Sequence, residues 1–456
     1  MKQAAGGYLL KGRVLDGSLQ PPIPDGVVVV KGDRIVFAGP ESELPADLAG
    51  DPDLIHVELP NRTIMPGLVD GHTHISFGEA RSEEELALHT GVEYRTIRAV
   101  WNARKVLRAG VTSAFDAAST FNIAVAVRDA IEAGMYEGPR FAVCGRQLTS
   151  RQGLEDAFQT WNPWPPGQAG QLVRGRDEIV EAIRMQVKDG VDVIKISGSS
   201  DSAVSDEPLD GSAFSRAEFQ WMADEAHRLG RKITVHARSR DSSLFCAEAG
   251  FDWLMHASYI DDRGIEACLR KGISICPTLT LLTNMIDAAE GSVGASGIDV
   301  FKQEVDAAAE NLSRAYRAGV PLVCGSESGW SLVPYGQWHA KEMQTFVELL
   351  GMTPLEAIHA ATQAAARLVP RWSDQVGVLA PGKLADLIVL KGDPSLDITL
   401  LQRPGRFDLV MKGGTIVERD TPIRPRKIWS NEKHKIYLDG LFTCDEETLR
   451  GAVVPM

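Results

Sequence analysis

Between residues 63 and 324 short apolar runs of strand character alternate with helix-period segments, and this alternation limits the possible folds more than any other feature of the chain. The strand-like runs fall at 63–69, 111–117, 140–147, 191–197, 233–237, 253–258, 273–279 and 321–324. Segments such as 91–108, 177–188 and 216–229 repeat apolar residues at the helical period. Each stops near a glycine (Gly110, Gly190, Gly230) where a left-handed residue would end a helix. Strands separated by helices pair in parallel, because the crossover brings the chain back to the end of the sheet from which it started. Eight of them close a TIM-type (β/α)8 barrel, an α/β architecture. An open doubly wound sheet competes, but no strand here runs into G-x-G-x-x-G or a P-loop sequence.

Both ends of the chain follow another pattern. Residues 8–15, 26–31 and 34–37 are β-rich, with Gly32-Asp33 as a hairpin turn, and 385–390, 409–412 and 415–418 echo them around Gly392-Asp393-Pro394 and Gly413-Gly414. Residues 1–62 and 381–456 are therefore expected to build one small β-sandwich beside a barrel of residues 63–380. Of the 456 residues 44% are hydrophobic and 24% charged, enough apolar material for a packed core.

The net charge of −13 comes with no basic block, which argues against nucleic acid or an anionic membrane as the main partner and otherwise says little; a small-molecule substrate is the expected partner. No run approaches the roughly 18 apolar residues of a membrane span, and M-K-Q-A-A-G-G-Y-L-L lacks the pattern of a secretory leader. Six scattered cysteines without C-x-x-C spacing read as reduced, mostly buried thiols. A cytoplasmic location is the expectation.

Chemistry gathers at the ends of the predicted strands. M-P-G-L-V-D-G-H-T-H puts His72 and His74 on alternate residues of one strand, so both imidazoles can point the same way and grip one metal ion. Lys195 in D-V-I-K-I-S sits on a strand that should be buried, where an ammonium is costly unless paired, neutralised or modified. His236 ends I-T-V-H, and His256 ends W-L-M-H. One such histidine is ordinary core. Four histidines and a lysine at the C-terminal ends of four strands are hard to place as core, and that face is where barrels build active sites.

With these residues in hand, the chain resembles the amidohydrolase superfamily over nearly its whole length. The resemblance rests on P-G-L-V-D-G-H-T-H, the strand-end lysine and histidines, A-A-T at 360–362, and P-G-K-L-A-D-L-I-V-L-K-G-D-P at 381–394. Within the superfamily it is similar to the Xaa-Pro dipeptidase-like branch, which includes phenylurea and molinate hydrolases. The resemblance implies a divalent transition metal, zinc before cobalt or manganese, in one or two sites. His72, His74, Lys195, His236 and His256 would be ligands, with Lys195 carbamylated by carbon dioxide. It also implies assembly into a homo-oligomer. Glu327, in V-C-G-S-E-S-G-W, stands where the family carries an aspartate that touches the metal and shuttles a proton. Glu327, Lys195 and His256 are accordingly the expected catalytic groups.

Two further departures concern substrate. S-R-Q-G-L-E and H-A-R replace the G-G-H-G and H-A-H of dipeptidase-like relatives. The predicted active-face loops are rich in aromatics, and Trp161, Trp164, Tyr259 and Trp330 join Arg238 as expected substrate contacts. The expected reaction is hydrolysis of a C–N bond in an amide, urea or carbamate-like compound with a hydrophobic part, the resemblance pointing to the phenylurea type. A peptidase releasing a C-terminal residue, with Arg238 on its carboxylate, and a metal- or ligand-binding protein without turnover are the alternatives.

Overall fold

Apolar β-branched runs such as Val193–Ser197 are buried at every position, as strands covered on both faces must be. The computed structural model describes residues 6–151, 153–201, 211–289, 298–423, 440–448 and 450–455. Within them, Leu68–Thr73, Val111–Asp116 and Arg140–Val143 pair in parallel. Gln147–Thr149, Val193–Ser197, Lys232–Ala237, Trp253–His256 and Ser274–Cys276 form a second parallel run. Residues 321–324 close the ring, with Ile275 bridged to Leu322 on one side and Gly71 N donating to Cys324 O at 2.9 Å on the other. The third strand is interrupted between Val143 and Gln147, and Asp192 N bonds Val143 O across the break. The protein is thus a TIM-type (β/α)8 barrel carrying a separate β layer.

The helices that cover the barrel begin and end on local signals. Ser215 and Glu218 form a capping box on Arg216–Arg228, and Thr353 and Glu356 form another on Pro354–Ala360. Gly110, Gly190 and Gly230 do follow their helices with positive φ.

Both chain ends meet in one curled seven-stranded sheet, where Leu387–Lys391 pairs antiparallel with Ile55–Pro66. Alternation splits its residues between two cores. Tyr8, Leu10, Val28, Val30 and Ile64 face one way, and Leu9, Val27 and Val29 the other. The final hairpin departs from the expectation that 381–456 all joins this sheet. Gly440–Cys444 and Gly451–Pro455 pair only with each other, and Phe442 packs against Leu332, Val333 and Trp338 on the barrel. Its backbone is tied there, since Phe442 N donates to Ser331 O and Trp338 Nε1 donates to Phe442 O.

Two predicted strands end early for one reason. The run at 253–258 stops at His256 because His256 and Ala257 adopt φ of 68° and 55°, and the run at 273–279 stops before Thr278, at φ 55°. Non-glycine residues rarely enter this left-handed region, so nothing in their identity announces the break. No helix among the described residues is long and apolar enough to cross a membrane. Five of the six cysteines are buried, and all six are free thiols.

Candidate active site

His72 and His74 leave the first strand two residues apart, so both rings turn into the mouth of the barrel. Their Nε2 atoms lie 3.1 Å apart, one ring donating and the other accepting. Glu327 arrives from beyond the eighth strand. Its Oε1 is 3.0 Å from His74 Nε2 and its Oε2 is 3.3 Å from His72 Nε2, although the latter pair lacks hydrogen-bond alignment. Glu327 N donates to His72 O at 2.8 Å, fixing the height of one against the other. Close approach is permitted by Gly325, where a Cβ would fall 2.7 Å from His72 Cβ. The Glu327 backbone stands at φ 62°, a strained setting that persists only where the surroundings hold it.

His256 closes the group. Its ring centroid is 5.3 Å from that of His72 and 4.5 Å from that of His236, and its Nδ1 is 2.6 Å from Thr278 Oγ1. One ligand-type atom each from His72, His256 and Glu327 falls within 4.8 Å of the others. His256 Nε2 and Glu327 Oε2 are buried with no hydrogen-bond partner among the described residues. Lys195, 1% exposed, and His236 come from neighbouring strands and line the same cleft. His236 Nε2 is 3.3 Å from Ser200 O.

Burial sets the charge state of this cluster. It lowers His72 to about 4 and His236 to about 3, and holds His256 well below its ordinary value, so these rings are neutral with lone pairs available. Burial alone would raise Glu327, but His72 and His74 beside it outweigh that and hold its carboxyl well below the usual range. Lys195 is brought down by burial to about 8.

The expected substrate residues divide. Arg238 and Trp330 line the cleft with Phe77, which stacks on His74 at 4.2 Å between centroids. Arg238 is already held by Asp201 Oδ2 at 2.9 Å and Glu304 Oε1 at 2.7 Å. Trp161, Trp164 and Tyr259 are not among the residues that line this cleft. Trp161 is 79% exposed and Trp164 half-buried, on the loop before Gly170–Leu172, which pairs with Gln147–Thr149. Tyr259 N donates to Arg238 O at 3.0 Å. Tyr335 is buried, and its hydroxyl donates to His74 O at 2.6 Å. Thr278, Glu304 and Asp201 carry no motif that could have marked them. Asp70, two residues before His72, lies inside the motif itself.

A buried cluster of neutral histidines and one carboxylate, at the C-terminal mouth of a parallel barrel, defines a hydrolase-type centre built to hold a cation. Residues 63–417 match the amidohydrolase family, and the chain belongs to that family. It is 30% identical to ochratoxinase of Aspergillus niger over 418 residues, 87% of this chain and 83% of that one. The crystal structure of the same A. niger enzyme superposes with a TM-score of 0.79 at 26% identity, covering 90% of this chain and 96% of that chain. A Xaa-Pro dipeptidase crystallised with methionine in its active site gives 0.78 at 26% identity, over 91% and 100% of the two chains. Imidazolonepropionase of Paracoccus denitrificans is 26% identical over 85% of this chain and 90% of its own. The protein is a hydrolase acting on carbon–nitrogen bonds.

Proposed function

We propose that this enzyme hydrolyses an amide, urea or carbamate-like bond in a small, partly hydrophobic compound, with a divalent transition metal at the barrel mouth. The observation that carries the reading is the pair of buried, unpartnered acceptors, His256 Nε2 and Glu327 Oε2, converging with His72. Orphaned buried acceptors are costly, and a cation satisfies them together. His72, His74, His236, His256, Lys195 and Glu327 would hold it, zinc being the first choice for imidazole-rich ligands and cobalt or manganese the others. A bound divalent ion supplies Lewis-acid polarisation of a carbonyl and acidifies water.

The chain's own residues supply the rest. Glu327, ionised at neutral pH with one oxygen unengaged, takes a proton at its carboxylate and returns it to the leaving nitrogen. Burial lowers Lys195 to about 8, which leaves a fraction of neutral amine at neutral pH, the form that adds to carbon dioxide with loss of a proton. The carbamate formed would replace a buried cation with an anionic oxygen ligand. Phe77, Trp330 and Leu332 offer the substrate's apolar part a wall. Arg238, saturated by two carboxylates, is poorly placed to capture a C-terminal carboxylate, which favours a small amide, urea or carbamate over a released C-terminal residue.

The test pairs metal analysis with hydrolysis of an N-acyl amino acid, a dipeptide and a phenylurea. The expected result is at least one equivalent of divalent metal per chain and turnover that chelation abolishes and metal restores. Full activity after exhaustive demetallation would overturn the reading.

A further inference from the structure

The cleft at His72 and Glu327 is lined by two unlike kinds of side chain. Leu281, Met285, Trp330 and Leu332 are apolar. Against them stand three carboxylates from separate parts of the chain, Glu83, Glu155 and Asp201. Asp201 has its cation, since Arg238 Nε donates to it at 2.9 Å. Glu83 and Glu155 have none, for no ion pair joins either to a basic residue among the described residues. The arginines around them are engaged elsewhere. Arg81 forks onto Glu85 at 2.8 and 2.9 Å, and Arg95 donates to the carbonyls of Thr90, Gly167 and Leu86.

These carboxylates are held at the cleft by the fold. Glu155, 5% exposed, accepts from Gln147 Nε2 at 2.8 Å and from Gln168 Nε2 at 3.0 Å, one on each oxygen. Its backbone is at φ 74°, another left-handed residue kept in place by its surroundings. Glu83 opens the helix Glu83–Leu88, and its Oε2 is shut off from solvent with no hydrogen-bond partner among the described residues. Burial and then the nearness of Glu155 raise Glu83 well above the ordinary carboxylate value, and burial pushes Glu155 up to about 7. Lys195 is near enough to lower Glu155, but neither acid has an ion-pair partner among the described residues, and two desolvated acids facing one cleft are complementary to a cation that brings its own N–H donors.

We infer that Glu83 and Glu155 form the recognition subsite for a cationic, N–H-bearing end of the substrate, a primary ammonium or a guanidinium. The apolar stem of that substrate lies along Leu281, Met285 and Trp330, and its scissile carbonyl faces His72 and Glu327. This rests on the hydrolytic reading above and narrows it, since an uncharged phenylurea would bring neither acid an ion-pair partner.

The test uses the metal-replete enzyme and anilides of one acyl-chain length, ending in an ammonium, a methyl or a carboxylate. Calorimetry of the matching aryl ketones, which lack the scissile nitrogen, measures binding without turnover. The ammonium compounds are expected to win by about ten-fold or more over methyl in both kcat/KM and affinity, the size of one charge-assisted contact. Glu83→Gln and Glu155→Gln should each erase most of that preference through KM while leaving the methyl compound within about two-fold. Equal binding of all three, preference for the carboxylate, or a loss in Glu83→Gln as large for methyl as for ammonium would overturn the inference. A ketone preference with no anilide hydrolysed would sink the hydrolytic reading and leave the subsite standing.

Discussion

Behind the first and eighth strands His339 Nδ1 donates to Asp70 Oδ2 at 2.7 Å, with both side chains buried. The direction follows from Gly336 N, which donates to His339 Nε2 at 2.9 Å and so leaves the proton on Nδ1. The other oxygen, Asp70 Oδ1, accepts from His72 N at 3.1 Å and Ser326 N at 2.9 Å. One carboxylate therefore sets the spacing between the backbone that carries His72 and the backbone that leads into Glu327.

Asp70→Asn keeps the shape but turns an amide toward groups that already donate. The expected cost is about 2–4 kcal/mol, as for a buried charge-assisted bond left unmatched. Urea unfolding measures it, and metal content should fall in parallel because His72 and Glu327 lose their common anchor. Wild-type stability together with full metal content would show that the spacing is set elsewhere.

Glu327 lies within 3.3 Å of both histidines of the motif, yet its Oε2 has no hydrogen-bond partner among the described residues. Glu327→Gln should lower kcat by at least the ~10²–10⁴-fold of a lost acid–base group, with KM changed little. Glu327→Asp should give intermediate activity, since it keeps the charge and retracts it by one methylene. A Gln variant turning over at the wild-type rate would assign the proton to another group.

Glu342 is buried beneath Leu279 and Thr280, accepting from both backbone N–H groups and from Thr280 Oγ1. Burial nevertheless raises it from 4.5 to about 7. The folded state then binds this proton more tightly than the unfolded chain does. Its contribution is full below about 4.5, declines as pH rises, and is gone above about 7. The window is worth about 3 kcal/mol. Unfolding curves of wild type and Glu342→Gln should therefore converge or cross between those pH values, the variant having the flatter profile. Parallel profiles would mean that Glu342 stays ionised in the fold.

Trp330 and Trp161 offer a matched contrast in one residue type. Trp330 packs edge-on against Phe77 with centroids 5.0 Å apart, inside the cleft. Trp330→Ala should raise KM for any hydrophobic substrate several-fold. Trp161→Ala should leave kcat/KM alone and change stability by no more than about 0.5 kcal/mol, as for an exposed side chain. An equal loss in both variants would place the long loop over the mouth during turnover.

The barrel was legible because burial leaves a repeating mark. Val193, Ile194 and Ile196 must be apolar to lie inside a parallel sheet, and Lys195 stands out against them. His72, His74, His236 and His256 were legible on the same ground, each ending an apolar run. Which loop aromatics reach the cleft was not legible, because residue type alone does not give a loop's direction. The last hairpin, Gly440–Cys444 with Gly451–Pro455, was not marked in the sequence at all.

What the sequence determined by itself was periodicity, strand count and the residues at strand ends, all consequences of local geometry and of which faces meet water. What only the tertiary structure decided was which of those ends converge, and at what spacing. Asp70 and His339 are 269 positions apart, and His74 and Glu327 are 253 apart. The left-handed backbones of His256, Thr278 and Glu327 are imposed by packing that no local preference encodes. The pairing of Arg238 with Asp201 and Glu304, and the lack of any such partner for Glu83 among the described residues, arise only once the barrel closes and distant carboxylates face one cleft.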